Sequence, residues 1–407
     1  MLCENLTPTR RAVLGASGAL FAWAFMPSFV KAAGARDPRF ITIILRGALD
    51  GLTAVPPVGD PDYAGLRQSI AMRMDGDNPA LPLDGFFALH PSMPNFQRLF
   101  QAKQAAVIHA SCTPYRDRSH FDGQDVLESG FAAPGHVDSG WLNRLIEKLP
   151  AGDKIAPGSA ERTRGLAVGA NAPLVIRGQA PVLGWSPSVL RQADPDLAPR
   201  LADLYGQTDP MLAHLLQEGI ETGKIASGLD VKAKGGPGDP SGMEQMARGA
   251  ARLLAQEDGP RVAALAFEGW DTHAQEVERL SKLLGGLDNA FAAFQQELGP
   301  AWKDTVVLVA TEFGRTARIN GTEGTDHGTG TTAFLAGGAV RGGRVITDWP
   351  GLKENQLQDK RDLAATTDLR SVIKGIAVDL LGADAGPLAG AVFPGSEKVA
   401  PMKGLIV

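Results

Sequence analysis

Five short, strongly apolar runs recur along the chain, and they constrain its fold more than any other feature of the sequence. Each is continuously apolar rather than alternating, which is typical of a strand buried on both faces of a parallel sheet. Each is also too short for an ordinary helix. In chain order the runs are Arg39–Leu45, Ala105–Ala110, Val262–Phe267, Thr305–Ala310 and Thr332–Ala336.

Amphipathic stretches between these runs predict helices. One covers Ser92–Ala102, with Ser92 as its N-cap, and others cover Phe121–Ser129, Ala274–Leu298 and Leu369–Leu381. Strands that alternate with helices favour helices on both faces of one sheet. The predicted fold class is therefore α/β, a three-layer α/β/α sandwich with a largely parallel central sheet.

The segment Thr222–Met246 is rich in glycine, proline and lysine, which predicts a flexible insertion. Helical patterns lie on both sides of it, so we expect it to interrupt a single domain that covers residues 36–407. The chain has 40 basic and 45 acidic residues, a net charge of −5. This balance gives no reason to expect a nucleic acid or an anionic membrane surface as partner. An anionic substrate would need local positive charge, from a metal or from particular arginines.

The first 35 residues have the pattern of an export signal. Arg10 and Arg11 precede the apolar segment Ala12–Val30, and small residues follow it. A paired arginine ahead of a moderately apolar core predicts export by the twin-arginine machinery, cleavage after residue 35 and a periplasmic protein. The alternative is an uncleaved membrane anchor, but Pro27 and the small-residue end favour cleavage. We expect no stable membrane insertion after cleavage.

Acidic and imidazole side chains are concentrated near the ends of the apolar runs. Asp50, Asp271, His273 and Glu312 follow such runs, and His327 lies near another. Ligands in an open α/β sheet gather outside the carboxyl ends of the strands, so we expect these groups to converge. Carboxylate oxygen and imidazole nitrogen together suit a divalent ion such as zinc or manganese. The alternative for each group is a local role, such as a helix N-cap at Asp50 or Ser119.

Six motifs resemble those of the DUF1501 family, exported bacterial proteins of unknown function. They are Leu45–Gly51 (LRGALDG), Arg118–Asp122 (RSHFD), Gly269–His273 (GWDTH), Thr311–Thr316 (TEFGRT), Asp326–Thr329 (DHGT) and Asp362–Arg370 (DLAATTDLR). The resemblance runs from about residue 38 to the carboxyl terminus. That family is similar to the alkaline phosphatase and sulfatase superfamily. The resemblance implies an α/β/α sandwich that holds one or two divalent ions (Zn, Mn or Ca).

The same resemblance implies roles for individual residues. The implied metal ligands are Asp50, Asp271, His273, Glu312, Asp326 and His327, with Asp326 either a ligand or a group that orients His327. Ser119 is the implied nucleophile, with a metal-bound water as the alternative. His120, next to it, is expected to be a ligand or a general acid, and a packed loop histidine is the alternative. Arg118 and Arg315 are expected to clamp substrate oxygens, and the alternative for either is a surface or structural ion pair. Phe313 stands where the superfamily has a ligating histidine, which puts a second metal in doubt.

Taken together, these features predict an exported metal-dependent hydrolase of phosphate or sulfate esters. Its substrate would be a small-molecule or polymer-linked anionic ester. The alternative is a catalytically inactive binding or assembly protein that keeps the phosphatase-like fold. The carboxylates and histidines favour the enzyme, whereas Phe313 favours the inactive protein.

Overall fold

The computed structural model describes residues 36–135, 137–149, 165–187, 238–257 and 259–407, with a few isolated residues between 201 and 216. These residues contain eleven strands: β1 Arg39–Leu45, β2 Leu81–Pro82, β3 Ala88–Leu89, β4 Ala105–Cys112, β5 Gly165–Val168, β6 Val182–Trp185, β7 Val262–Phe267, β8 Thr305–Thr311, β9 Thr331–Ala336, β10 Arg344–Ile346 and β11 Thr367–Asp368. The main sheet has the order β10-β4-β9-β8-β1-β7-β5-β6, and β11 also pairs with β4. Strands β2 and β3 form a separate small hairpin.

Strand β1 lies at the centre of the sheet, and its side chains pack into an apolar core on each face of the sheet. It pairs in parallel with β7 on one side and with β8 on the other. Ile41 and Ile43 pack into one apolar core, whereas Phe40 and Ile44 pack into the core on the opposite face. Each of these four side chains is almost completely buried. Full burial of one large apolar side chain contributes about 1.5–3 kcal/mol, so both faces of β1 stabilise the sheet.

Helices cover both faces of the sheet. The first core is covered by helices Pro94–Gln101, Pro240–Ala255 and Glu276–Leu298. The second core is covered by helices His120–Ser129, Trp141–Lys148 and Leu369–Asp379. The predicted fold class, an α/β/α sandwich with a largely parallel sheet, is thus confirmed.

Strand β9 runs antiparallel to both of its neighbours, β8 and β4. Its amino end therefore lies at the edge of the sheet where β1, β4, β7 and β8 have their carboxyl ends. The loop before β9 and the loops after the other four strands meet at this edge. We call it the functional edge, because it carries the site described below.

Two local predictions differ from the structure. The helix predicted at Ser92–Ala102 covers Pro94–Gln101, and its N-cap is Met93 rather than Ser92. The predicted flexible insertion at Thr222–Met246 is too long at its carboxyl end, because a helix begins at Pro240 with Asp239 as its cap. Residues 222–237 and the predicted signal peptide lie outside the described residues.

No helix within the described residues combines the length and the apolarity that a membrane span requires.

Candidate metal centre

Three loops bring His120, Asp271 and His327 together at the functional edge. One side-chain ligand atom from each lies within 4.8 Å of the others. His120 begins the helix that follows β4, Asp271 comes four residues after β7, and His327 comes four residues before β9. They meet because the ends of these strands share one edge of the sheet.

A third histidine completes the group. The Nε2 atoms of His120, His273 and His327 lie 3.5, 3.0 and 3.4 Å from Oδ1 of Asp271. The Nε2 atoms of His273 and His327 are 3.0 Å apart. We call His120, Asp271, His273 and His327 the metal cluster.

The backbone fixes the orientation of His327. Its Nδ1 donates a hydrogen bond of 2.9 Å to the carbonyl oxygen of Arg118. Arg118 has a φ of 61°, a left-handed conformation that non-glycine residues rarely adopt and that recurs at functional sites. Its guanidinium binds Asp359 at 2.6 Å and Asp362 at 2.7 Å, which anchors the loop. Because a carbonyl can only accept, the proton of neutral His327 is on Nδ1 and its Nε2 lone pair points into the cluster.

Carboxylates hold the other two histidines in the same way. Nδ1 of His120 donates to Oε1 of Glu312 at 2.8 Å, and Nδ1 of His273 donates to Oδ1 of Asp326 at 3.1 Å. The hydrogen bond to Glu312 raises the pKa of His120. Ionised carboxylates only accept, so both neutral rings carry their proton on Nδ1 and present the Nε2 lone pair. This arrangement is the usual environment of a metal-binding histidine.

The donors of the cluster are arranged as a bound cation would require. Three imidazole lone pairs and a carboxylate oxygen repel one another when nothing positive lies between them. The buried Nε2 atom of His120 has no hydrogen-bond partner within the described residues. Zinc bonds of 2.0–2.1 Å in a tetrahedral shell put ligand atoms about 3.3 Å apart. The three spacings to Oδ1 of Asp271 and the spacing between His273 and His327 lie close to that value. The residues present therefore fit a divalent ion.

Arg315 positions the carboxylate of the cluster. Its guanidinium is almost completely buried and donates to Oδ1 of Asp271 at 2.6 Å. It also donates to the carbonyl and the hydroxyl of Thr325. Burial opposes ionisation of Asp271, but the bond to Arg315 and its charge lower the pKa of Asp271 overall. Arg315 thus keeps this carboxylate ionised and aimed at the histidines.

Asp50 lies in a buried network next to the cluster. Its Oδ1 accepts from the amide of Thr53 at 3.0 Å, so it caps the short helix Gly51–Ala54. Its Oδ2 pairs at 2.5 Å with the guanidinium of Arg67, which also contacts Glu276 at 3.4 Å. All three ionisable side chains are at most 1% exposed. We call Asp50, Arg67 and Glu276 the buried triad. Thr325 connects it to Arg315, because its hydroxyl lies 3.1 Å from Asp50.

Glu276 gives the buried triad a distinctive response to pH. Burial, reinforced by the charge of Asp50, raises the pKa of Glu276 to about 8 from an ordinary value of 4.5. Its two carboxyl oxygens lie 2.8 Å from the hydroxyl of Thr53 and 2.7 Å from that of Thr325. The folded chain therefore keeps this carboxyl protonated at neutral pH, whereas the unfolded chain does not.

This difference predicts how stability depends on pH. Below pH 4.5 both states are protonated, so the contribution of Glu276 is fully present there. It is lost as the pH rises towards 8, because only the unfolded state has released its proton, at up to about 1.4 kcal/mol per pH unit. Glu276→Gln should remove this slope. Urea unfolding of the wild-type and variant proteins at pH 5, 6, 7 and 8 measures it, and parallel stability profiles would contradict the assignment.

The predicted site residues thus lie at different distances from the centre of the metal cluster. Asp271, His273 and His327 meet with His120, whereas Glu312 and Asp326 contact the outer nitrogens of the histidines. Asp50 does not contact the metal cluster directly: Thr325 and Arg315 lie between Asp50 and Asp271. Ser119 comes directly before His120 at the start of a helix, and its amide donates to the hydroxyl of Tyr115 at 3.2 Å.

Three residues of this region were not predicted from the sequence: Arg67, Glu276 and Thr325. Arg67 lies in the short helix Tyr63–Arg67, far from the end of any apolar run, so no local pattern indicates its role. Glu276 lies in the first turn of the long helix Glu276–Leu298, where an acidic residue is common, so its sequence position gives little sign of a special role. Only the structure shows that it is completely buried.

Comparisons with known proteins identify a family and a weak structural likeness. The family model described as "Protein of unknown function (DUF1501)" matches residues 37–376. No curated protein matches the sequence. A crystal structure of Ps i-CgsB in complex with k-i-k-neocarrahexaose aligns at a TM-score of 0.41 and 11% identity, over 86% of this chain and 73% of that one.

Two further structures align in the same way. A 2-O GAG sulfatase gives a TM-score of 0.40 and 9% identity, over 86% of this chain and 71% of that one. A protein in the alkaline phosphatase superfamily from Vibrio parahaemolyticus gives 0.33 and 13%, over 75% and 62% of the two chains. Likeness at these scores supports no conclusion about activity.

Proposed function

This chain belongs to the DUF1501 family, and we propose that it is an exported, metal-dependent hydrolase of phosphate or sulfate esters. One observation carries the proposal. Three imidazole Nε2 atoms converge on the carboxylate of Asp271, and a hydrogen-bond acceptor fixes the Nδ1 atom of each ring. A purely structural histidine would not need its second nitrogen to be free.

The donor set favours zinc and a single ion. Imidazole nitrogens suit zinc better than calcium, which prefers a shell of oxygens. The guanidinium of Arg67 already neutralises Asp50, which was expected to be a ligand, so a second ion there is unnecessary. When bound, a divalent ion supplies Lewis acidity that offsets the negative charge building up on an ester under attack.

The residues of the chain orient and support this chemistry. Glu312, Asp326 and the carbonyl of Arg118 keep the three Nε2 lone pairs directed inwards. Arg315 holds Asp271 ionised. Ser119, directly before His120, is the nucleophile that we propose, and a water molecule at the same site is the alternative.

A second candidate function is a non-catalytic metal-binding or assembly protein. It is favoured by the two arginines that were expected to clamp substrate oxygens. The guanidinium of Arg118 is engaged by Asp359 and Asp362, and that of Arg315 by Asp271. Neither is free to hold an ester without giving up a carboxylate partner.

The setting of the activity is also part of the proposal. We infer export through the twin-arginine machinery, removal of residues 1–35 and a periplasmic location from Arg10, Arg11 and the apolar segment that follows them. Export in the folded state would allow the metal to be loaded before translocation.

Turnover of simple esters tests the proposal. We expect the purified protein, supplied with zinc or manganese, to hydrolyse at least one of p-nitrophenyl phosphate, bis-p-nitrophenyl phosphate and p-nitrophenyl sulfate. Chelation should abolish the activity, and renewed addition of the metal should restore it. Stoichiometric metal without turnover of any of these esters would reject the hydrolase and favour the binding protein.

A further inference from the structure

A large open cleft adjoins the metal cluster. Its volume is about 790 Å³, within the roughly 300–1,000 Å³ range of ligand pockets. Asp326 and Arg361 line it and also contact the cluster. Asp326 accepts from Nδ1 of His273 at 3.1 Å, and the guanidinium of Arg361 donates to the carbonyl of His327 at 2.7 Å. The cleft therefore begins where the cluster ends.

The charged residues of the cleft are balanced. Three carboxylates and three cations line it: Asp62, Asp326, Glu354, Arg318, Lys360 and Arg361. Their sum is zero, so the cleft does not attract a polyanion as a run of basic residues would. No aromatic side chain is among the described residues that line it, which does not favour a flat aromatic ligand.

Two of these charged groups are available to a ligand. The side chain of Asp62 does not cap its own helix, and Arg318 is exposed. Two further charged residues of the cleft, Lys360 and Glu354, form an ion pair with a separation of 4.0 Å, and both side chains are 76% exposed. Exposed pairs of this kind are weak, so both groups can turn to a ligand.

A ligand that suits this lining must both donate and accept many hydrogen bonds without carrying much charge. Hydroxyl groups do both, whereas carboxylates only accept and guanidinium or ammonium groups only donate. A carbohydrate presents a ring of such hydroxyls, and its C–H faces can pack on the partly exposed apolar side chains of the cleft, Ile319 and Leu357. The volume accommodates a group of one or two sugar rings.

We propose that this cleft binds the alcohol half of the ester and that this half is a carbohydrate, so that the substrate is a phosphate or sulfate ester of a sugar. The proposal rests on the proposed function for the position of the ester group at the metal cluster. The binding of the sugar itself depends only on the cleft.

A comparison of esters and variants tests the inference. The substrates are the 6-phosphates and 6-sulfates of glucose, galactose and N-acetylglucosamine, with ethyl phosphate and ethyl sulfate as references. We expect kcat/KM for at least one sugar ester to exceed that of the ethyl ester about tenfold or more, the effect of about 1.4 kcal/mol in binding. Asp62→Asn and Arg318→Gln should raise KM for that sugar ester several-fold and leave the ethyl ester unchanged.

Arg73→Gln is the matched control, because Arg73 is an exposed arginine that pairs with Asp75 and is not among the described residues that line the cleft. It should behave as the wild-type protein with every ester. Equal kcat/KM for sugar and ethyl esters, or variants that change both alike, would overturn the inference.

Binding of neutral glycans separates this inference from the proposed function. Labelled protein should bind at least one neutral glycan on an array, and Asp62→Asn should weaken that binding. Glycan binding without ester turnover would reject the hydrolase and keep the cleft assignment. Turnover of ethyl or aryl esters without glycan binding, or binding only to sulfated dextran, would overturn the cleft assignment and keep the hydrolase.

Discussion

His120→Ala is expected to reduce ester turnover and zinc affinity by at least about 100-fold. Replacing a group that only supports a ligand already costs about 10–100-fold, and His120 is proposed to be a ligand itself. The fold should survive the substitution. Glu312 keeps the amide of Gly47 at 2.9 Å, the hydroxyl of Thr311 at 2.9 Å and the amide of Gln124 at 3.2 Å as partners. Zinc content, turnover and thermal unfolding of the same preparations measure the three effects.

Two further variants make this result specific. Phe121→Ala changes the next residue of the same helix, whose side chain is 89% exposed, and it should retain full zinc occupancy. His273→Ala removes a ligand whose side chain is 43% exposed, so it should lose zinc with little change in stability. Full zinc occupancy and turnover in both histidine variants would show that the cluster is not the site.

Arg67→Met is expected to destabilise the folded chain by about 3–5 kcal/mol, because it leaves the buried carboxylate of Asp50 without a counter-ion. Asp50 is 1% exposed, so water cannot replace the guanidinium as its partner. The loss is comparable to a large part of the stability of a typical domain, about 5–15 kcal/mol. Urea unfolding followed by circular dichroism measures the change in the free energy of unfolding.

Arg73→Met is the matched control for this prediction. Its guanidinium pairs with Asp75 at 3.0 Å, and both side chains are 76% exposed, so the urea midpoint should not change. Adding Asp50→Asn to Arg67→Met should restore part of the lost stability, because the buried side chain at position 50 then no longer carries an unpaired charge. An Arg67→Met protein as stable as the wild type would show that the triad does not hold the fold together.

Strands that are buried on both faces were predictable from the sequence, because burial makes them continuously apolar. The predicted runs Arg39–Leu45 and Val262–Phe267 are strands β1 and β7 without a change of boundary. Strands β5 and β6 were missed, since β6 (Val182–Trp185) is only partly buried and lacks a continuous apolar run. The antiparallel direction of β9 depends on its neighbours in space and not on its own residues.

The position of the site was more predictable than the role of each residue in it. His273 and Asp271 follow a buried strand, so the edge of the sheet could be inferred for both. Loop geometry decides whether a carboxylate lies among the Nε2 atoms of the histidines, as Asp271 does, or contacts the Nδ1 atom of one ring, as Glu312 does. The sequence left Asp50 as either a metal ligand or a helix cap. In the structure it caps a helix and also pairs with the buried Arg67, which lies in no recognisable motif.

Zinc binding to the wild-type protein tests the central claim most directly, because all the proposed chemistry requires the three imidazoles and Asp271 to hold one ion. X-ray absorption at the zinc edge, on protein titrated with zinc and then desalted, reports both the stoichiometry and the ligands. We predict one retained ion per chain, with three imidazole nitrogens and oxygen in its shell. No retained zinc, or a shell without imidazole, would contradict the account.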